Sequence, residues 1–338
     1  MSHQLPSSGI ANIPVHYLIA MPRTGSTLLS IMLNKHPQIL STIEEPFYFN
    51  LYPKYKKIKD WNTEVINRFC ADFFLFSNHK LEMQSVHFDT LKGLLTTNSE
   101  GLNFEKAIRL AYMAFFPDKD KSAISCILDK ELQYYQFIRK VAQRYPQTKF
   151  IVLFREPVDN IYRWQFMRKK RKRKHKLSHL TKLWSYRKRN ILQQLSQLPT
   201  SQVLLITYEN LINDTEKTIS TICSFLNIPY SPEILKNTSS SDYYATSDFK
   251  EITHFHEMSF KKPDKNKIGE GYRKFSDKEI QYILQKTESL SEDTSKKGGY
   301  PFFSEELIVK TWYMLPFSFQ RGIKIIKARV TSQKTAES

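Results

Sequence analysis

Cysteine is scarce in this sequence: Cys70, Cys126 and Cys223 stand far apart among 338 residues. An odd count without metal-ligand spacing argues against a disulfide framework, and no metal is expected. Cys126 and Cys223 lie inside apolar patterns, so the thiols read as reduced core residues. A charged start followed by a long apolar stretch is also lacking, and no secretory leader is expected. No run approaches 18 uninterrupted apolar residues, so no transmembrane segment is expected either. Acidic residues are in deficit, 33 against 51 Lys and Arg, for a formal charge of +18. That balance favours an anionic partner (nucleotide, polyanion or membrane surface) without choosing among them. The expectation is a cytoplasmic protein, with peripheral contact to an anionic membrane left open.

What is present is order along the chain. Val15 to Met21 is an apolar run with too little alternation for a surface strand, and reads as a buried one. It enters Pro22-Arg23-Thr24-Gly25-Ser26-Thr27-Leu28-Leu29, and a helix follows that should stop near His36, before Pro37. A strand turning through Gly, Ser, Thr and Arg into a helix N-terminus is a ready anion cradle. Further strands are predicted around Ile39, at Ser125–Leu128 ending on Asp129-Lys130, at Phe150–Phe154 ending on Arg155-Glu156-Pro157, and at Val203–Ile206 ending on Thr207-Tyr208. Residues 46–75 read as an irregular helical insert, Phe104–Phe116 and Tyr134–Tyr145 as helices. Asp214 is a candidate cap for the helix bearing Ile219, Ile222, Phe225 and Leu226. Strands separated by helices imply a parallel sheet covered on both faces, with ligands beyond the carboxyl ends of its strands. The polar groups at 22–27, 129–130, 155–157 and 207–209 all fall at such ends.

The loop has Gly25 but neither the second glycine nor the lysine of a nucleoside-triphosphate P-loop. It resembles instead the 5′-phosphosulfate loop of sulfotransferases that use PAPS (3′-phosphoadenosine 5′-phosphosulfate). Asp129-Lys130, Arg155 with Pro157, Tyr208-Glu209-Asn210-Leu211 and the late stretch Ile268-Gly269-Glu270-Gly271-Tyr272-Arg273-Lys274 are similar to further elements of that family, in its order. The resemblance implies an α/β, three-layer, P-loop-like sulfotransferase fold with a central, mainly parallel sheet. It implies transfer of a sulfuryl group from PAPS to a hydroxyl, or an amine, with release of adenosine 3′,5′-bisphosphate and no metal. Donor contacts are then expected from Arg23, Thr24, Gly25, Ser26, Thr27, Leu28, Arg155, Arg163, Tyr208, Lys267, Ile268, Gly269, Gly271, Tyr272, Arg273 and Lys274.

In-line transfer needs the acceptor oxygen, the sulfur and the leaving phosphate oxygen held in register. Loop N–H groups, the Ser26 and Thr27 hydroxyls and Arg23 suit the charge that builds up there; Thr27 is also a candidate helix cap. Lys130 is the expected electrophilic partner of the leaving group, although Glu131-Leu132 replaces the family's usual Thr-Pro or Asp-Pro. The resemblance implies a general base among the acids of Glu44-Glu45-Pro46: the family's acid-then-proline pattern favours Glu45, and counting from the loop as in the tyrosylprotein branch favours Glu44. Arg155 suits bidentate binding of the 3′-phosphate. Eight positions on, where the family carries serine, stands Arg163, which leaves a second cationic contact or a role for Asn160 open.

Residues 1–13 read as a flexible arm, 14–312 as a single sulfotransferase-like domain and 313–338 as a basic C-terminal helix and tail. The block 168–176 is a solvated basic loop, a rim for an acidic acceptor or a nucleic-acid patch, and nucleic acid is the least favoured partner. Residues 319–330 suit a helix docked on its own domain or lying on a membrane. His254 and His256 beside Glu257 make no metal site by themselves. The acceptor, a small molecule, glycan or lipid, is expected against 46–75, 160–180 and 240–260. The rival readings are a P-loop phosphoryl transferase, and a non-catalytic or nucleic-acid-associated protein on the same fold.

Overall fold

The computed structural model describes residues 9–42, 47–76, 86–116, 118–170, 176–236, 263–288, 312 and 315–336. Five apolar runs form one parallel sheet: β1 (Val15–Ala20), β2 (Ile39–Ser41), β3 (Cys126–Lys130), β4 (Phe150–Phe154) and β5 (Val203–Thr207). The spatial order is β2-β3-β1-β4-β5, with Leu18 opposite Lys130 on one side and Ile151 on the other. Alternate residues of β1 and β4 face opposite cores, as the pleat requires. Tyr17, Ile19, Phe150 and Val152 pack under α6 (Ile138–Arg144), α7 (Pro157–Lys170) and α8 (Leu177–Leu195). Leu18, Ala20, Ile151 and Leu153 pack under α1 (Ser26–Asn34), α9 (Tyr208–Asn213) and α10 (Thr215–Leu226). These are the three layers expected of the chain.

β1 leads left, through α1 to β2, while β4 leads right, through α7 and α8 to β5. The two connections diverge between neighbouring strands, so a crevice opens at their carboxyl ends, the usual ligand position in such sheets. Beside the sheet, α2 (Phe47–Tyr55), α3 (Thr63–Phe76), α4 (Phe88–Thr97) and α5 (Phe104–Ala114) enclose a separate core around Tyr55, Phe69, Phe73 and Tyr112. α11 (Asp277–Glu288) packs on α7 and α8, and α12 (Phe317–Ala336) on α2 and α3.

Four local expectations change. The insert is regular: α2 and α3 are proper helices, closed by the Trp61 ring between Tyr55 and Phe69. Tyr134–Tyr145 is not one helix but a 3-10 turn at Tyr134–Gln136 followed by α6. The cause is tertiary, because the Tyr134 hydroxyl donates back to Asp129 at 2.8 Å and draws the chain into a tight turn. Asp214 occupies the N-cap position of α10 without a side-chain capping bond. In the expected arm, Ile10–Asn12 form a 3-10 turn with Ile10 buried, and Ile13 accepts from Arg109 Nε at 2.7 Å.

At the C-terminus, Phe317 meets Phe76 at 5.2 Å between ring centroids, and Arg321 Nε donates to Asp72 at 2.8 Å. Asp72 is fully buried and also accepts from Lys54 and Tyr55, so one carboxylate ties three helices together. Among the described residues no helix is long and apolar enough to cross a membrane. Cys70, Cys126 and Cys223 are free and buried.

Candidate functional site

The turn after β1 is strained where the anion cradle was expected. Arg23 has φ 68° and Gly25 φ 90°, left-handed values that cost a non-glycine residue about 1 kcal/mol or more. Thr24 steadies the turn by donating its hydroxyl to Met21 C=O at 2.9 Å. Gly25, not Thr27, is the N-cap of α1, and it offers no side-chain capping bond. The first intrahelical bond runs from Leu29 N–H to Gly25 C=O, so the N–H groups of Ser26, Thr27 and Leu28 precede the ladder and point beyond the strand end. A Cβ on Gly25 would lie 2.6 Å from the Tyr208 ring, so residue 25 must be glycine for this approach.

Lys130 ends β3 fully buried, and its Nζ donates to Thr27 Oγ1 at 3.2 Å. Beside it Asp129 accepts from the hydroxyls of Thr42 (3.1 Å), Tyr112 (2.7 Å) and Tyr134 (2.8 Å). Burial pushes the Asp129 carboxyl up to about 6, against the pull of those three hydrogen bonds.

Arg155 follows β4 and is 5% exposed. Its guanidinium lies 4.2 Å from the centre of the Tyr208 ring, and Nη2 donates to Lys267 C=O at 2.5 Å. Its Nε is buried with no hydrogen-bond partner among the described residues. Asn160 donates to Pro22 C=O at 2.9 Å, and its Oδ1 is likewise buried and unpartnered. An orphaned N–H and an orphaned acceptor at one strand-end crevice fit a ligand bearing phosphate oxygens and hydroxyls.

The late loop closes over this crevice. Gly269 and Gly271 N–H each donate to Asp159 at 2.7 Å, and Arg163 Nη1 pairs with Glu270 at 3.4 Å. Lys267 Nζ stands 3.8 Å from the same Glu270, and Ile268 packs against the core under α9 and α10. Three other candidates turn elsewhere: the Tyr272 hydroxyl donates to Glu156 at 2.9 Å, Arg273 donates to the carbonyls of Ile268 and Asn266, and Lys274 is exposed. Thus 23–28, Lys130, Arg155, Asn160, Tyr208 and 267–271 converge. Glu44 and Glu45 lie outside the described residues, as do most of the 168–176 block and the His254-His256 pair. Asp159 was missed from sequence because an acid in the first turn of a helix is ordinary.

At the opposite end of the strands lies a cavity of about 230 Å³ lined by Val15, Tyr17, Tyr48, Glu105, Arg109 and Tyr145. Its carboxylate is already occupied, Glu105 accepting from Tyr48, Tyr145 and Arg109. None of the candidate site residues lines it. Among the described residues no group of His, Cys, Asp and Glu is placed to hold a metal ion.

Residues 14–232 match the model of a family described as the sulfotransferase family. The chain belongs to the sulfotransferase family. The match spans β1 to the end of α10 and stops before the late loop, whose place rests on its contacts alone. Among solved structures, this sulfotransferase is similar to the sulfotransferase domain from the Synechococcus PCC 7002 olefin synthase, at 18% identity and TM-score 0.55, covering 87% of this chain and 98% of that one. It is also similar to the sulfotransferase domain from the curacin biosynthetic pathway, at 20% identity and TM-score 0.50, covering 83% and 98%. At such identities the likeness speaks for the fold. No curated protein matches the sequence significantly. Family membership makes the chain an enzyme of the sulfotransferase superfamily, with sulfuryl transfer as its general chemistry.

Proposed function

We propose that this sulfotransferase moves the sulfuryl group of PAPS to a hydroxyl, or an amine, of a small-molecule, glycan or lipid acceptor. The observation that carries this reading is the pair of orphaned buried atoms, Arg155 Nε and Asn160 Oδ1, beside the uncapped start of α1. A bound PAPS supplies the sulfuryl group and a leaving phosphate. The amides of residues 24–27, the Ser26 and Thr27 hydroxyls and Arg23 hold negative charge at the strand end. Lys130, whose Nζ donates to the Thr27 hydroxyl, neutralises in this reading the charge left on the departing phosphate. Arg155, against the Tyr208 ring, holds the 3′-phosphate together with the side chains of Lys267 and Arg163. Glu45, or alternatively Glu44, takes the acceptor's proton.

Calorimetric titration with adenosine 3′,5′-bisphosphate and then with ATP tests the donor. Binding of the bisphosphate with little response to ATP is expected, and the reverse order overturns the reading. Arg155→Ala should weaken the bisphosphate at least about tenfold, and Arg139→Ala, an exposed control, should not. With a working acceptor, Glu45→Gln should abolish turnover and Glu44→Gln should spare it; the opposite outcome transfers the role.

We also read the protein as cytoplasmic, with peripheral contact to an anionic bilayer through α12. Phe319 and Ile326 lie seven residues apart on one helix face, 66% and 64% exposed, with Lys327 exposed beside them.

A further inference from the structure

The late loop is gripped by one face of α7. Position 156, which precedes the helix, and positions 159 and 163 fall three and four residues apart, on one side of it. Glu156 accepts from the Tyr272 hydroxyl, Asp159 accepts from Gly269 and Gly271 N–H, and Arg163 donates to Glu270. Four consecutive loop residues are thereby fixed by three side chains. Asp159 is central, being 1% exposed with both carboxylate oxygens occupied by amides at 2.7 Å and Arg155 Nη2 at 3.6 Å from Oδ2. A carboxylate so placed does what a bound anion would do: it gathers backbone N–H groups and a guanidinium around itself. The fit is close, since a Cβ on Gly271 would lie 2.6 Å from Val158 C=O.

We propose that Asp159 is a positioning residue, a built-in anion that folds the 263–274 loop into its donor-binding shape before the donor arrives. Because it consumes the amides of Gly269 and Gly271, the donor's 3′-phosphate is left to side chains, with Arg155 foremost through its unpartnered Nε. The proposal rests on the reading of this crevice as a nucleotide site for its second half only; the first half concerns the loop itself.

The test uses the full chain as wild type, Asp159→Asn and Gly271→Ala, the last wedging the loop off α7 without touching a carboxylate. Amide hydrogen exchange of the peptide covering 263–275 is followed without ligand. Adenosine 3′,5′-bisphosphate and adenosine 5′-monophosphate are then titrated. Both variants should speed exchange of that peptide at least about tenfold, with peptides of β1 and β4 unchanged. Both should weaken the bisphosphate about tenfold while hardly affecting the monophosphate, which has no 3′-phosphate to lose. Unchanged exchange in Asp159→Asn overturns the proposal. So does tighter bisphosphate binding in that variant, which would make Asp159 a competitor of the phosphate rather than a support. If wild type binds neither nucleotide while the loop still loosens, the nucleotide reading falls and the positioning of the loop stands.

Discussion

Asp129 pays for its place beside Lys130. Burial raises its carboxyl from an ordinary 3.8 to about 6, so an ionised Asp129 costs the fold about 3 kcal/mol at neutral pH. The sign follows from proton uptake. Below about pH 4 the carboxyl is protonated in both folded and unfolded chains and the cost is absent. Between about 4 and 6 the folded chain holds the proton and the unfolded chain does not, so stability falls as pH rises; above 6 the cost is constant. Asp129→Asn should therefore gain stability relative to wild type by about 2 kcal/mol on going from pH 4 to pH 6.5. Urea melts at the two pH values measure it, and a pH-independent difference would show that Asp129 titrates normally. Lys130 makes a different kind of prediction. If it faces the leaving group, Lys130→Ala should lower the transfer rate constant about 100-fold or more while changing bisphosphate affinity only a few-fold. Single-turnover kinetics with PAPS, set beside equilibrium titration, separate the two. The same residue scale shows how uneven the sequence was as a guide. The strand-end positions of Lys130 and Arg155, and of the turn that holds Gly25, were legible because an apolar run stops at each. Asp159 was not, because its partners lie 110 and 112 residues further along the chain.

Elements were legible where burial is two-sided. β4 reads as an unbroken apolar run, and β1 and β3 as apolar runs interrupted only by His16 and by the terminal Asp129-Lys130, because helices cover both faces of a parallel sheet. The break at Phe137 was invisible, since a hydrogen bond to Asp129 sets it and periodicity carries no trace of that bond. The α2–α5 insert was underestimated for a related reason: its aromatic residues form a core of their own, and a densely aromatic helix shows no clean polar face. α12 was foreseen with two alternative fates, a docked helix or a surface one. Its docked face, built on Phe317, Gln320 and Arg321, holds to α3 through Asp72. Arg321→Ala leaves Lys54 and Tyr55 on that carboxylate, so a loss of about 1 kcal/mol is expected, read as a small drop in Tm. Asp72→Ala strands Lys54 and the Tyr55 hydroxyl in addition, and should cost about 3 kcal/mol or more. Equal losses would mean that Asp72 serves α12 alone.

For the whole molecule, the +18 charge and the outer face of α12 lead to one expectation. The chain should sediment with vesicles containing phosphatidylserine and remain in solution with neutral phosphatidylcholine vesicles, and added salt should release it. Phe319→Asp combined with Ile326→Asp should abolish that sedimentation and leave bisphosphate affinity untouched. Undiminished binding by the double variant would assign the contact to charge elsewhere on the surface. Fold class and the order of site elements were readable at this scale because strand ends recur in register with polar residues. The acceptor was not readable, because the stretches expected to shape it carry aromatics and charge without a pattern tied to one chemistry.

The cavity beneath Tyr17 and Tyr145 bears on how inhibitors of this enzyme should be sought. It opens at the amino ends of the strands, while the residues proposed to bind the donor stand at the carboxyl ends. Any compound that fills it will raise the melting temperature by mass action, whatever it does to catalysis. A library ranked by thermal shift would thus mix two populations, and only displacement of the bisphosphate separates them.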